Sequence, residues 1–418
     1  MNKGNFMGKA KEYIFNNMVT ILFVILCLVG LSLSGQPISL VLNELVIRIA
    51  RNSFLVLALI IPVIAGMGLN FGIVIGAMAA QIIIIAVTHL GIVGVPGFLL
   101  CVVLTTPLAV IFGYFTGKLL NKTKGQEMIT SMILGFFANG LYQLLFLFLI
   151  GTLIPMNNPV LMISGGVGIK NTVDLTGGIK YALDNIFNRS LYYVVYNMAL
   201  IALVICIALI IYSVIKKKKN LKGLIIKAII SLVVFVGCQI NSVAIILNYV
   251  GVPIVTMLVI AALCVFNILI FKTKLGQDFR TVGQNTVVAN ASGINVDKTR
   301  IKAIVISTVL AAWGQLIFLQ NIGTLNTYGS HEQVGMFAIA AILIGGATVS
   351  KATNKQAILG VILFHTLFIV SPTAGKNLFN NAQIGEYFRV FVAYGVICVS
   401  LVLYAWKSNV KAKEEVRL

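Results

Sequence analysis

The stretch "VPIVTMLVIAALCVFNILIF", residues 252–271, decides the fold class of this chain. It carries no charged side chain, and a helix of about 20 residues crosses the roughly 30 Å hydrocarbon core of a bilayer. A polar segment, 272–302, follows it, and a second apolar run begins at residue 303. The chain therefore joins membrane-length apolar runs by polar connections.

This alternation extends over the whole sequence, which is 59% hydrophobic and 10% charged. Soluble domains contain about 25% charged residues, and a β-barrel would show short alternating strands instead. We therefore predict an all-α polytopic membrane protein with about 10–12 transmembrane helices in a single transmembrane domain, 1–418. The predicted segments, each to within about three residues, are 18–34, 46–66, 70–90, 97–118, 128–150, 192–214, 228–248, 252–271, 303–322, 333–350, 356–374 and 386–406. The first of them is interpreted as a retained helix rather than a cleaved signal peptide.

The distribution of basic residues predicts the orientation. The formal net charge is +20, from 31 Lys and Arg against 11 Asp and Glu. With both termini cytoplasmic, all but seven of the 31 basic residues fall on the cytoplasmic side, as the positive-inside rule requires. The seven exceptions are Arg48, Arg51, Lys170, Lys180, Arg189, Lys376 and Arg389. The positive charge is thus interpreted as a topological signal beside anionic lipid, and nucleic-acid binding is not expected.

The polar segment 272–302 contains helix signals of its own. Asn285 can cap a short helix that begins at Thr286, and Gly293 can close it in the left-handed conformation. Asp297 can cap the next helix, which enters the membrane. The short helix, "TVVANAS", is uncharged and suits docking into a groove of a partner protein. An interfacial helix that rests on lipid is the alternative.

A family resemblance rests on this segment. The string "KLGQDFRTVGQNTVVANASGINVDKTRIKAIVIS" resembles the cytoplasmic loop of bacterial ABC importer permeases that serve ribose and other simple sugars, nucleosides and branched-chain amino acids. In that family the loop docks on the ATPase. The positions that match the family pattern are Lys274, Gly276, Arg280, Val282, Gly283, Asn285, Ala289, Gly293 and Ile294, whereas Thr281 and Val288 depart from it. The resemblance implies ATPase coupling by Arg280, Gly283, Asn285, Ala289 and Gly293, with a partner groove packed against Ala289.

Three further segments resemble the same family in the same order. They are "GMGLNFGIVIGAMAA" at 66–80, "GQEMITSMILGFF" at 125–137 and "IAAILIGGATVSKATNKQAILGVILF" at 339–364. The chain departs from the family at Ile73 and Val74, where an acidic residue is absent, and at Gly135, where the family has Asn. The resemblance covers roughly 40–150 and 250–405. Residues 152–248 are interpreted as an outer loop followed by an inserted helical pair.

Neutral polar residues within the apolar runs are candidates for a substrate pathway. Glycines near residue 70 are expected to loosen a helix near mid-membrane, and Asn139 and Gln143 share one helical face. The candidate pathway residues are Gly68, Asn70, Gly72, Gln81, Asn139, Gln143 and Gln315. Each polar side chain can serve either the pathway or helix packing. The absence of a strongly charged cluster at the centre of the membrane segments favours a neutral solute, such as a sugar or nucleoside.

The sequence does not predict an enzyme, a cofactor or a metal site. The string "GYFTGKLL" at 113–120 has the wrong spacing for a phosphate-binding loop, and the six cysteines lie inside apolar runs. The expected function is a transmembrane permease subunit of an ATP-driven ABC importer for a simple sugar or nucleoside, in the bacterial plasma membrane. The expected partners are a separate cytoplasmic ABC ATPase, a second permease subunit that is identical or paralogous, an extracytoplasmic solute-binding protein and the lipid bilayer.

Three alternatives stay open at this point. A stand-alone secondary transporter would need a carboxylate at mid-membrane, and the candidates Glu44, Glu127, Glu332 and Glu386 lie near segment ends. A permease for branched-chain amino acids would share the same family pattern. A membrane scaffold without transport activity would not need the capped cytoplasmic loop.

Overall fold

The structure is a computed structural model that describes residues 14–15, 17–216 and 221–415. Within these residues the helices are α1 (Met18–Ser34), α2 (Ile38–Ala58), α3 (Ile60–Ile64), α4 (Ile73–His89), α5 (Gly94–Lys122), α6 (Glu127–Leu144), α7 (Leu191–Ile215), α8 (Leu221–Cys238), α9 (Asn241–Tyr249), α10 (Ile254–Ile270), α11 (Lys274–Gln284), α12 (Thr286–Ala291), α13 (Val296–Ile322), α14 (Ser330–Ile344), α15 (Asn354–Phe379) and α16 (Ala382–Glu415). Helix α6 continues as a π-helical turn over Leu145–Leu149. The strands are β1 (Thr172–Asp174), β2 (Asn188–Ser190), β3 (Gly251–Pro253) and β4 (Thr324–Asn326). The predicted cytoplasmic termini, 1–13 and 416–418, and the basic run 217–220 lie outside the described residues.

Seven helical units in the described residues are long and apolar enough to cross a membrane. They are α2 with α3, α5, α6 with its π-helical turn, α7, α13, α15 and the Ala382–Leu403 part of α16. The number is nine if the bent pairs α8–α9 and α10–α11 each form one span. Three shorter apolar helices, α1, α4 and α14, accompany them. Together with the three shorter helices, this makes ten or twelve apolar helical segments in the described residues. The prediction of an all-α polytopic membrane protein is confirmed.

Several predicted segments have bounds that differ from those of the helices, and three of these differences have a local reason. The predicted span 228–248 is broken, because α8 ends at Cys238 and α9 leaves it at an angle of 85°. The predicted span 333–350 is too long, because Gly346 takes a φ of +84° just after α14 ends. The predicted span 303–322 begins too late, because Asn295 already caps α13.

Helix α13 lies in the centre of the bundle, where it packs against α2, α4 and α5. Glycines on two of these neighbours allow a close approach. A Cβ atom on Gly76 of α4 would lie 2.4 Å from the carbonyl oxygen of Thr308. On α5, Gly113 and Gly117 pack against the backbone of Val305 and Ile301, and a Cβ atom there would lie 2.9 Å and 3.0 Å from their Cα atoms. Small residues four apart are a common basis of helix packing in membranes.

The two ends of α13 define the two ends of the molecule. At its Ile322 end lie two antiparallel ribbons, β1 with β4 and β2 with β3, in which Val173 is opposite Leu325 and Arg189 is opposite Val252. We call this the outer end. At its Val296 end lie α11, α12 and the connection between α5 and α6, and we call this the inner end. The 27 residues of α13 place the two ends about 40 Å apart.

The long loop between α6 and α7 is folded onto the outer end. The buried carboxylate of Asp184 accepts hydrogen bonds from the Thr256 hydroxyl and from the Asn321 amide, each at 2.5 Å. The Tyr328 hydroxyl donates to the carbonyl oxygen of Ile169 at 2.8 Å. Burial raises the pKa of the Tyr328 phenol, so the group keeps the proton that it donates. The loop is therefore held to α10 and α13 by specific hydrogen bonds.

Helices α7 and α8 form a peripheral hairpin. The Ser231 hydroxyl donates to the carbonyl oxygen of Ala199 at 2.7 Å, and the rings of Tyr196 and Phe235 lie 4.9 Å apart. Most other side chains of the two helices are exposed in this chain. The hairpin is joined to the bundle mainly through α9 and the β2–β3 ribbon. This position fits the predicted insertion, which stays a prediction.

Candidate functional site

The short inner helix α12 is capped as the sequence predicted. The Asn285 side chain accepts hydrogen bonds from the backbone amides of Val287 at 2.9 Å and Val288 at 3.1 Å. Gly293 has a φ of +77°, which confirms the left-handed closure. The helix is therefore fixed at both ends by its own sequence.

The predicted cap of the next helix is wrong. Asn295, not Asp297, caps α13, and its side-chain oxygen accepts from the backbone amide of Lys298 at 2.9 Å. Asp297 already lies in the first turn, where a carboxylate is favourable beside the helix N-terminus. It forms an ion pair of 2.7 Å with the Nζ atom of Lys124, which ties α13 to the end of α5.

The inner segment, residues 272–302, has a small hydrophobic core of its own. Ala289 is fully buried in this chain and clusters with Val282 and Val296. The expectation that a partner groove packs against the Ala289 side chain is therefore corrected, because that side chain helps to hold α12 between α11 and α13. The exposed apolar side chains of α12 are Val287, at 74% exposure, and Val288, at 53%.

Helix α11, which the sequence analysis did not predict, joins this segment to the membrane helices. A Cβ atom on Gly283 would lie 2.1 Å from the carbonyl oxygen of Ile64, and one on Gly66 would lie 2.7 Å from the Cα atom of Gly283. The two backbones therefore touch at the point where α3 ends. On the outside of the same helix, the guanidinium carbon of Arg280 lies 5.6 Å from the centre of the Phe271 ring.

The glycine-rich break occurs where it was predicted along the chain but at a different depth. Helix α3 ends at Ile64 and α4 begins at Ile73. Because the unit Ile38–Ile64 is already 27 residues long, about 40 Å, the turn lies at its inner end beside α11 and not at mid-membrane. The mid-membrane expectation is corrected.

Side-chain contacts hold this turn together. The Asn70 oxygen accepts from the backbone amide of Gly72 at 3.0 Å, and the amide of Phe71 donates to the Ser131 hydroxyl at 3.2 Å. Gly68, with a φ of +67°, lies against Met128. The Asn70 nitrogen is buried and has no hydrogen-bond partner among the described residues. The assignment of Gly68, Asn70 and Gly72 to the substrate pathway stays a prediction.

Two of the predicted pathway amides meet in a polar network between α4, α6 and α14. The Gln81 oxygen accepts from the Tyr142 hydroxyl at 2.8 Å and lies 3.0 Å from Nδ1 of His331. Nε2 of His331 lies 2.9 Å from the Asn139 oxygen, and the Asn139 nitrogen donates to the carboxylate of Glu332. Gln81 and His331 are fully buried. Gln81 and Asn139 were candidates on sequence grounds, and His331 joins them only in the folded chain.

The donor and acceptor roles in the network depend on the orientation of the Gln81 amide. With its oxygen toward His331, Nδ1 donates a proton to it. With its nitrogen toward His331, Nδ1 accepts, and Nε2 of the neutral ring donates to the Asn139 oxygen. His331 and Glu332 are linked through the Asn139 amide.

The remaining two amides do not join the network. Gln143 is half-buried and makes no side-chain hydrogen bond within the described part of the chain. Gln315 is fully buried in α13, and both its side-chain oxygen and its nitrogen lack a partner among the described residues. An unpaired buried amide costs about 1–3 kcal/mol, so this site calls for water or a polar solute.

A polar cavity at the outer end was not predicted. Its volume is about 360 Å³, and it lies between α2, the end of α13, the start of α14, α15 and α16. Arg48, Arg51 and Arg389 line it. These arginines are three of the seven exceptions to the positive-inside distribution. Their unusual position was the sequence signal that could have indicated the cavity. The first turn of α14 separates the cavity from the network, with Ser330 and Gln333 on the cavity side.

The bundle of apolar helices with a polar interior defines a multi-pass membrane protein. The family model described as "Branched-chain amino acid transport system / permease component" matches residues 182–401, which is more than half of the chain. The chain belongs to this family. The matched range contains the α7–α8 hairpin, the inner segment, and the parts of α13, α14 and α15 that line the outer cavity.

Individual relatives match over shorter ranges. An autoinducer 2 import system permease protein of Klebsiella pneumoniae is 34% identical over 116 residues, 28% of this chain and 33% of the relative. A xylose transport system permease protein of Haemophilus influenzae is 30% identical over 141 residues, 34% of this chain and 36% of the relative. An L-arabinose transport system permease protein of Escherichia coli is 25% identical over 161 residues, 38% of this chain and 45% of the relative. The chain thus spans between a third and a half of the length of these relatives, and no solved structure matches it.

Proposed function

We propose that this chain is the transmembrane permease subunit of an ATP-driven importer for a small polar solute, in the bacterial plasma membrane. The ATP is hydrolysed by a separate cytoplasmic ATPase, so the chain needs no cofactor of its own. Family membership and the import functions named for the relatives support this proposal. Their names favour a sugar or a sugar-like solute.

The observation that carries the proposal is the exposed pair Val287 and Val288 on a rigidly mounted helix. Apolar side chains on a short, capped helix outside the bundle suit a groove in a partner. A displacement of α12 is transmitted to the central helix α13 through the few residues that join them. Through Gly283 it also reaches the turn after Ile64, so two membrane units move with the ATPase.

The second part of the proposal is the route of the solute. It enters the outer cavity, passes the first turn of α14 and reaches Gln81, Asn139 and the unpaired Gln315. A solute-binding protein delivers it to the outer ribbons, and a second permease subunit, identical or paralogous, completes the pathway. In this account the turn at Gly68, Asn70 and Gly72 lies at the inner exit.

The docking helix can be tested by co-purification with the cognate ATPase. Val287→Asp combined with Val288→Asp places charge in an apolar contact, which we expect to reduce recovery of the ATPase about tenfold or more. Ser350→Asp is the matched control, because it adds a negative charge to an exposed residue of another inner connection. If the double variant retains the ATPase as well as the control does, α12 is not the docking element and the proposal fails.

A further inference from the structure

The outer cavity combines three arginines with no lining carboxylate. None of its described lining residues is acidic. Arg48 has an ion pair with Glu44, with Nε 3.7 Å from the carboxylate, and Arg389 has one of 2.5 Å with Glu386. Arg51 has no carboxylate within ion-pair distance among the described residues. The Arg51 guanidinium is therefore without a direct ion pair, and the carboxylates of Glu44 and Asp184 act on it only over a longer distance.

Aromatic rings hold these cations without neutralising them. The guanidinium carbons of Arg48 and Arg389 each lie 5.0 Å from the centre of the Phe368 ring, and that of Arg51 lies 5.5 Å from the Phe318 ring. Cation–π contacts fix the plane of a guanidinium but leave its N–H donors free for a ligand. The Nε groups of Arg48 and Arg51 are buried and have no hydrogen-bond partner in the described residues.

A second observation also points to a ligand. His365 lines the cavity and is 2% exposed, yet its Nδ1 atom has no partner among the described residues. Asn52, which is also buried, lines the cavity one residue beyond Arg51. A buried ring nitrogen without a hydrogen-bond partner, near a guanidinium without a direct ion pair, is unfavourable, and both groups are satisfied when a polar molecule binds there.

From this arrangement we infer that the cavity binds the anionic group of the transported solute, a carboxylate or phosphate on a sugar-sized molecule. The inference rests on the proposed function and names the class of its substrate. Arginine forks bind carboxylate and phosphate oxygens in pairs, and the volume of about 360 Å³ suits a small ligand. On this inference the solute carries an anionic group, whereas the sequence analysis led us to expect a neutral one.

The depth of the cavity favours a free solute over an acidic side chain of a docked protein. Arg51 lies thirteen residues after Ile38, the first residue of α2, which is about 20 Å along the helix. A charged side chain in a membrane helix is costly, and those that are present commonly mark the path of a solute or ion.

The inference can be tested on the purified full-length chain in phosphatidylcholine nanodiscs. The thermal unfolding midpoint is measured against increasing galacturonate, galactose 6-phosphate or galactose at constant ionic strength. We expect at least one of the two anions to raise the midpoint and galactose to leave it unchanged. Arg51→Gln should raise the half-saturating anion concentration about tenfold or more, and Arg51→Lys should raise it less.

Arg189→Gln is the control, because Arg189 lies at the outer end on β2, beside Phe187, and does not line the cavity. It should respond to the anions as the wild type does. The inference is overturned if galactose stabilises as well as the anions, if no probe stabilises the wild type, or if Arg51→Gln keeps the wild-type response. It is also overturned if phosphatidylglycerol nanodiscs give the Arg51-dependent stabilisation and neither sugar anion does, because a lipid headgroup then occupies the cavity. None of these results bears on docking of the ATPase at α12, which the co-purification tests separately.

Discussion

Gly66 and Gly283 pack backbone against backbone, although 216 residues separate them along the chain. A Cβ atom on Gly66 would lie 2.7 Å from the Cα atom of Gly283. The contact joins the turn after α3 to helix α11, and α11 leads directly into the capped helix α12. It is a direct backbone contact between the inner segment and a membrane-spanning unit.

Gly283→Ala should disturb this connection. The added methyl group would meet the carbonyl oxygen of Ile64, and overpacking of this kind costs about 1–3 kcal/mol. We expect a lower unfolding midpoint and slower ATP-driven uptake. Gly140→Ala is the control, because a Cβ atom there meets nothing within 4 Å and alanine favours the helix. Equal uptake by the two variants would show that the backbone contact does not transmit motion.

Asn139→Leu should impair uptake more than Gln143→Leu on the same helix. The first change removes the partner of His331 and of Glu332, whereas Gln143 makes no side-chain hydrogen bond in the described residues. Unpaired buried polar groups cost about 1–3 kcal/mol, so a lower unfolding midpoint is also expected for the first variant. Uptake and stability of reconstituted transporter measure the two effects. Normal transport by Asn139→Leu would assign the network to helix packing alone.

Breaking the ion pair between Arg300 and Glu127 should destabilise the fold far more than breaking the one between Lys124 and Asp297. Arg300 is nearly buried, and its removal leaves a carboxylate without a partner, which costs about 3–5 kcal/mol. Lys124 and Asp297 are each at least half exposed, and such pairs contribute about 0–1 kcal/mol. Arg300→Met should therefore lower the unfolding midpoint strongly and Lys124→Met only slightly. Similar midpoints for the two variants would contradict this assignment.

Asn285→Ala should loosen α12, and Asn285→Asp should not. The side-chain oxygen of Asn285 accepts two backbone amides, and the loss of such a cap costs about 1 kcal/mol. Asp provides an equivalent oxygen. Limited proteolysis of 285–293 in inside-out membranes measures the difference. If both variants are cut at the wild-type rate, the cap does not control the order of this helix.

Local signals in the sequence predicted the parts of the structure that depend on neighbouring residues. The long apolar runs predicted the membrane class, and Asn285 and Gly293 predicted the short helix, because a cap and a left-handed glycine act within one helical turn. The same signals did not separate Asn295 from Asp297, since both residue types can cap a helix. The amphipathic helix α11 was not predicted, because it lies outside the membrane and its sequence has no long apolar run.

The candidate site depended on contacts that no local pattern contains. Gln81 and Asn139 were chosen for their polarity, but their link through His331 arises only when α4, α6 and α14 pack together. The arginine cavity brings Arg51 and Arg389 together from opposite ends of the chain. Burial of Ala289 could not be predicted either, because the cluster that covers it is formed by α11 and α13.

The most direct test of the account is solute uptake by proteoliposomes that contain this chain with and without its cognate ATPase. The solute is supplied with the binding protein, and either ATP or a proton or sodium gradient is provided. We predict uptake only when the ATPase and ATP are both present, with no ATP hydrolysis by this chain alone. Gradient-driven uptake by the chain alone would contradict the account and would identify a secondary transporter.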